Sequence, residues 1–315
     1  MIAISLMIEG QNGLNWPRWQ RLVAEAEQLG FAGLFRSDHF TNGQGPLLDS
    51  LESIVSLTYL ADHTQRLHFG PLVAPVSFRD PSILARQAAA LDDLSGGRMI
   101  LGVGAGWQER EHRMFGHELG DVPTRMARLE EGLEVLTRLL HSDEPVTYDG
   151  RFFQLQDALI LPRPQRAGGP PILIGGTGEK RTLPLVARYA DIWNALVVSP
   201  DEFRTLSGRL DALMQAAGRP PSAVRRTLMT NLTFAPDRES LARRLHLTDA
   251  GGSSLEDAVA SIHATRKNIV GTPEMVREQI AAYAVAGVEE LMMQWLDLDD
   301  IEGLRAFAHT VLPSL

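Results

Sequence analysis

The sequence predicts an α/β chain folded as a (β/α)8 TIM barrel. Three observations carry that expectation. Eight apolar, β-like runs recur along the 315 residues, each followed by a helical stretch, and eight consecutive β-then-α units fit a closed parallel barrel most simply. The length suits one such domain over residues 1–315. Several runs end in glycines or in acid–base side chains, and barrels bind ligands at the carboxyl ends of their strands. A doubly wound open sheet is the competing arrangement.

The elements follow in order. A β-like run at 2–8 precedes a helix over 16–29, closed by Gly30. Strand 31–36 leads to helix 48–62, and strand 67–74 to helix 81–94. That helix starts at Pro81, a favoured first helical position, and stops before Gly96-Gly97. Strand 98–103 precedes helix 123–141, strand 171–175 helix 179–190, and strand 191–197 helix 200–217. Strand 225–234 precedes helices within 237–285, and strand 289–295 precedes helix 299–311. Insertions after strands 4 and 7 break this rhythm. Residues 143–170 carry an alternating pair around Asp149-Gly150, a hairpin signal, then a Pro/Arg-rich loop. That pair should stand outside the barrel. Residues 237–271 hold extra helical material and the piece Asp249-Ala250-Gly251-Gly252-Ser253-Ser254, which reads as a mobile lid.

Composition excludes several function classes. A net charge of −9 without a basic cluster argues against nucleic-acid and anionic-membrane partners. The absence of cysteine removes disulfides, thiolate metal sites and thiol nucleophiles. The first residues read as a strand rather than a leader peptide, and no run approaches the ~18 apolar residues of a membrane span. A cytoplasmic protein is the expectation. There is no His-x-His on the first strand and no His-Glu-x-x-His, so no metal site is expected.

Three strand ends carry candidate chemistry. Ser37-Asp38-His39 places a carboxylate and an imidazole side by side. Gly102-Val103-Gly104-Ala105-Gly106-Trp107 is not a dinucleotide fingerprint, because Trp107 stands where glycine or alanine is needed. Its glycines suit a backbone that lies close to a flat ligand. Gly175-Gly176-Thr177-Gly178 leads into a helix with Lys180 and Arg181 nearby, which suits phosphate. Glu111-His112 and His117 fall in a stretch read as a polar loop.

These stretches together resemble the luciferase-like monooxygenase superfamily. The similar segments are Gly30 to His39, Ser95-Gly96-Gly97-Arg98 with the loop to Trp107, Ile174 to Gly178, Tyr189 to Asn194, Gly271-Thr272-Pro273 and Ala286-Gly287-Val288. The branch resembled most is the coenzyme F420-dependent oxidoreductases, which use a deazaflavin; a sister branch uses FMN and oxygen. The resemblance implies a luciferase-like barrel with the tricyclic ring in its mouth. His39 would lie beside the reactive ring carbon and Asp38 near the ring's polar edge. Pro71, Leu72 and Val73, within Gly70–Ala74, would form a bulge with a non-prolyl cis peptide behind the ring. Gly104, Ala105 and Gly106 would flank the ring, and Gly175, Gly176, Thr177 and Gly178 would hold its phosphate.

Sugar-phosphate dehydrogenases of that branch carry a catalytic glutamate where this chain has Trp107. Glu109 or Glu111 is the candidate replacement, and Glu111 is taken with His39 and Asp38 as catalytic. Trp107 and Glu9 are assigned to the substrate, a small organic molecule that is larger and more apolar than a sugar phosphate. The expectation is a homodimeric oxidoreductase moving a hydride between F420 and that substrate. An FMN-dependent monooxygenase and a flavin-binding protein without turnover are the alternatives.

Overall fold

The computed structural model describes residues 2–247 and 254–314. The first strand, β1 (Ala3–Ile8), is almost wholly buried, as a strand of a parallel sheet covered on both faces must be. Helix α1 (Trp16–Leu29) begins where the Asn15 side chain accepts the Arg18 N–H, and it ends at Gly30 with φ 84°. The next units are β2 (Gly33–Arg36) with α2 (Ser53–His63), then β3 (His68–Pro71) and β4 (Ala74–Pro75) with α3 (Pro81–Leu94). Strand β5 (Leu101–Gly104) is followed by α4 (Glu109–Phe115), α5 (Val122–His141) and the hairpin β6 (Val146–Asp149) and β7 (Gln154–Ala158). Then come β8 (Ile172–Gly175), α6 (Thr182–Tyr189), β9 (Ile192–Leu196) and α7 (Pro200–Ala216). The chain continues with β10 (Arg225–Phe234), α8 (Arg238–Arg244), α9 (Leu255–Arg266), β11 (Ile269–Gly271), α10 (Pro273–Val285), β12 (Glu290–Gln294) and α11 (Ile301–Val311).

The strands run in the order β3-β2-β1-β12-β10-β9-β8-β5-β4, with β11 added beside β10. Every pairing on this path is parallel. A bridge between Phe69 and Met99 and the pairing of β4 with β5 bring the two ends together. Strands β3 and β4 are therefore two halves of one barrel strand, and eight such strands close the (β/α)8 barrel. The hairpin β6–β7 is a separate antiparallel sheet, outside the barrel as its turn signal predicted.

The core has two layers. Period-two alternation sends Leu6 and Ile8 outward to the helices, whereas Met7 points inward. Inside the barrel Met7, Phe35, Leu72, Ile100, Leu173, Ile192 and Met292 form an apolar plug, and the mouth cavity lies on top of it.

Three details differ from the sequence reading. The expected strand at 67–74 is interrupted, and the Leu72–Val73 peptide bond is cis, inside the stretch where the resemblance implies one. Residues 109–115 are helical rather than a polar loop. The region read as helices alone contains β11. The piece from Asp249 to Ser253, read as a mobile lid, lies outside the described residues; Ser254 caps α9 by accepting the Asp257 N–H. Among the described residues, no helix is long and apolar enough to cross a membrane.

Candidate active site

The carboxyl ends of the barrel strands surround a cavity of about 330 Å3. Met7, Glu9 and Gln11 enter it from the end of β1, and Ser37 and His39 from the end of β2. Leu72, Val73 and Pro75 come from the bulge between β3 and β4. Gly104 to Trp107, Glu111, Gly175, Asn194, Leu196 and Met229 complete the wall. A more open groove of about 520 Å3 lies between α8 and α11. Its charged groups are already paired, Arg244 with Asp300 and Arg243 with Glu239. The mouth cavity combines an apolar floor with convergent polar groups and is the candidate site.

His39 and Glu111 meet there. His39 Nδ1 lies 2.8 Å from Glu111 Oε1, and the Phe40 N–H donates to Glu111 Oε2 at 2.8 Å. The Glu111 side chain is 1 % exposed and that of His39 19 %. Burial alone would push Glu111 up, but hydrogen bonds from His39 and Phe40 outweigh it and hold the carboxyl below its ordinary 4.5. Burial would likewise lower His39, but the Glu111 carboxylate outweighs it and raises the imidazole above 6.5. An ionised carboxylate only accepts, so Nδ1 carries a proton and donates. Nε2 is the free nitrogen of a cavity-lining imidazole. Trp107, 65 % exposed, meets the ring edge-on at 5.5 Å between centroids.

A second wall is polar and internally satisfied. Glu9 accepts from Gln11 Nε2 at 2.7 Å and from Gln294 Nε2. Ser37 donates to Gln11 Oε1 at 2.6 Å and accepts the Gly10 N–H at 2.8 Å. Glu9 is thus held at the cavity edge as an acceptor.

Asp38 sits among other partners. It was expected at the polar edge of a ring in the mouth, yet it does not line the cavity. Successive side chains of an extended segment alternate in direction, so Ser37 and His39 face the mouth and Asp38 turns away. It is 3 % exposed and accepts from Arg79 Nε and Nη2, both at 2.8 Å. Burial would lower Arg79, but Asp38 and Glu52 outweigh it and raise the guanidinium above its ordinary value. Arg36 lies buried close by, lowered by burial to about 10. Pro71 is also buried away from the cavity, within β3.

The glycine-rich segments form close walls. A Cβ on Gly104 would run into Val73 Cγ2, and Gly106 has φ +76°, a region that favours glycine. Of the Gly175–Gly178 loop only Gly175 reaches the cavity; Gly176, Thr177 and Gly178 lie beyond it at the rim. Helix α6 starts later than expected, so Lys180 and Arg181 precede it and are exposed. Gly178 O accepts from the Thr182 and Leu183 N–H groups. The N–H groups of Thr177 to Arg181 donate to no partner among the described residues.

Sequence reasoning assigned no role to Met7, Gln11, Ser37, Pro75, Asn194, Leu196 or Met229, which also line the cavity. The strand-end rule applied to 191–197 points to Leu196 rather than to Asn194, which lies mid-strand. Met229 lies mid-strand in the long β10 and gave no signal.

A family model described as luciferase-like monooxygenase matches residues 3–290. An F420-dependent glucose-6-phosphate dehydrogenase of Microbacterium testaceum is 28 % identical over 309 residues, covering 92 % of this chain and 90 % of the relative. A 4-hydroxyprotoasukamycin monooxygenase of Streptomyces nodosus subsp. asukaensis is 33 % identical over 177 residues, 56 % of this chain and 46 % of the relative. Among solved structures, an F420-dependent secondary alcohol dehydrogenase in complex with an F420-acetone adduct has a TM-score of 0.83 at 20 % identity, covering 99 % and 98 % of the two chains. A coenzyme F420 dependent tetrahydromethanopterin reductase from Methanopyrus kandleri has a TM-score of 0.77 at 20 % identity, with 99 % of both chains covered. Both structures share the fold.

Proposed function

The chain belongs to the luciferase-like monooxygenase family, and from that premise we propose that it is an F420-dependent oxidoreductase acting on a small, uncharged organic substrate. The observation that carries this reading is the mouth cavity itself. An apolar floor at Leu72 and Val73 and a glycine wall at Gly104–Gly106 face an imidazole backed by a buried carboxylate. The names of long-matching relatives support F420 as the cofactor.

The residues fit a flat ring with a phosphate tail. A side chain at Gly104 would displace Val73 from the floor. At the rim, the undonated N–H groups of Thr177 to Arg181 and the exposed Lys180 and Arg181 suit an anion. When bound, the deazaflavin supplies hydride chemistry. Leu72, Val73 and the glycine wall orient it. His39 Nε2 gives or takes the accompanying proton. Glu111 holds Nδ1–H in place and stabilises the imidazolium, and Trp107 shields one edge of the ring from water.

No Lys or Arg lines the cavity among the described residues, and Glu9 presents a carboxylate there. A phosphorylated sugar would meet no Lys or Arg there and two carboxyl side chains, Glu9 and Glu111. An alcohol, ketone or other uncharged substrate suits this lining. The test is parallel titration with F420 and FMN, followed by turnover assays with uncharged alcohols and ketones. Tighter F420 binding is expected, and His39→Ala should lower kcat by about 10²–10⁴-fold while cofactor Kd moves little. FMN binding without F420 binding would move the reading to the monooxygenase alternative. Cofactor binding with no turnover on any substrate would favour a binding protein.

A further inference from the structure

Asn194 sits at the centre of β9, on its inward face between Ile192 and Leu196, and is fully buried. Its amide orientation is fixed from outside. Nδ2 donates to Thr227 Oγ1 at 2.8 Å, with Met292 Sδ at 3.4 Å. The Thr227 hydroxyl spends its single proton on Trp193 O at 3.0 Å, so towards Asn194 it only accepts. Flipping the amide would set two acceptors against each other. Asn194 Oδ1 is therefore locked in place, and it has no hydrogen-bond partner among the described residues. Native interiors leave few such atoms unpaired. Of the orphaned buried polar atoms among the described residues, Asn194 Oδ1 alone belongs to a side chain lining the mouth cavity.

Its place in the barrel says what approaches it. In the closed strand order β9 stands opposite β2, so Asn194 and His39 occupy opposite sides of the mouth. The Asn194 main-chain oxygen accepts the Gly176 N–H at 2.9 Å, which ties the residue to the glycine loop at the rim. A ligand that reaches from His39 to that loop passes Asn194.

We propose that Asn194 is a recognition residue for the cofactor: its Oδ1 accepts a hydrogen bond from an N–H or O–H of the bound molecule. This rests on reading the mouth as a flavin-type site. Two groups offer that donor, the imide N–H of the ring and a hydroxyl of the polyol chain joining ring to phosphate. The requirement is for a donor. A ligand presenting only acceptors or alkyl groups leaves the buried oxygen unpaired.

The test is titration of the full-length protein, wild type and Asn194→Leu, with three probes: a deazaflavin ring without a polyol, the same ring bearing a ribityl chain, and FMN. Leucine keeps the bulk and removes the acceptor, so affinity should fall roughly tenfold. A fall for every probe assigns the donor to the imide; a fall confined to the polyol-bearing probes assigns it to a hydroxyl. Equal affinities of wild type and folded variant for all probes overturn the proposal. Thr227→Val removes the contact that Asn194→Leu also loses but keeps the Asn194 acceptor, and should bind within a few-fold of wild type. A loss in that variant as large as the loss in Asn194→Leu would trace the effect to the Thr227 contact and overturn the proposal. A wild type that binds FMN and neither deazaflavin removes the F420 reading, and the variant ratio is then read on FMN alone. Binding of no probe overturns both.

Discussion

At the residue scale, the pairing of His39 with Glu111 sets a pH dependence with a definite sign. The raised imidazole contributes stability that is full below its ordinary 6.5 and lost as pH rises through the higher folded value. The depressed Glu111 contributes stability present above 4.5 and lost as pH falls through the lower folded value. The pair is thus strongest between about 4.5 and 6.5. Glu111→Gln leaves burial as the main influence on His39, with only Glu9 and Asp38 still favouring the charged form. The inflection of kcat/KM assigned to His39 should therefore move down; a folded variant with an unmoved profile would count against the pair. Asp38 carries the opposite expectation. Its removal strands Arg79, and breaking a buried pair costs about 3–5 kcal/mol, with the lower end expected because Glu52 still holds Arg79. Asp38→Ala should lower Tm and leave the Kd of the cofactor nearly unchanged, which calorimetry and titration separate. Adjacency in sequence marked both residues; only the period-two alternation, applied from Ser37, tells which one faces the mouth.

At the element scale, nearly all of the barrel was legible because each strand is a short apolar run and each helix has a boundary signal. Pro81 and Gly30 marked ends that the structure keeps. Helix α4 was not legible. Glu109-Arg110-Glu111-His112-Arg113 reads as a solvated charge run, yet Glu111 and His112 are buried. Their partners are distant in sequence: His39 for Glu111, and Ser77 for His112 Nε2 at 2.7 Å. No local period encodes such contacts. The break between β3 and β4 was equally silent in the periodicity, and it entered only through the family resemblance. That break brings Val73 against Gly104, which defines a further test. Gly104→Ala sets a Cβ against Val73 Cγ2, and overpacking of this kind costs about 1–3 kcal/mol. Val73 also lines the cavity, so any shift that makes room reshapes the cavity floor. The expected result is a modest fall in apo Tm with a larger loss of the Tm gain on adding cofactor. An undiminished gain would place the ring elsewhere.

At the scale of the whole molecule, the barrel separates stability from chemistry along one strand. β12 joins β1 to β10 and so closes the chain's beginning onto its end. Its first residue, Glu290, lies at the closed end, where it accepts from Ser5 Oγ and faces Arg225 at 3.2 Å. Its last residue, Gln294, lies at the mouth and holds Glu9. Barrels place function at the carboxyl ends of strands and stability at the other end. Glu290→Leu leaves the buried Ser5 hydroxyl unpaired, whereas Arg225 is partly exposed and can be rehydrated. A cost of about 1–3 kcal/mol follows, a Tm lower by roughly 2–8 °C. Ligand affinity measured well below Tm should stay the same, and Glu290→Gln should recover most of the loss by offering Ser5 an acceptor. Gln294→Leu should do the reverse. Glu9 keeps its bond from Gln11, so the fold changes little, but the carboxylate loses the partner that holds it at the cavity edge. Substrate KM should then change several-fold with Tm nearly constant. If the mouth variant lowers Tm as much as Glu290→Leu does, the two ends of the strand are not separable, and Glu9 belongs to the framework rather than to substrate binding.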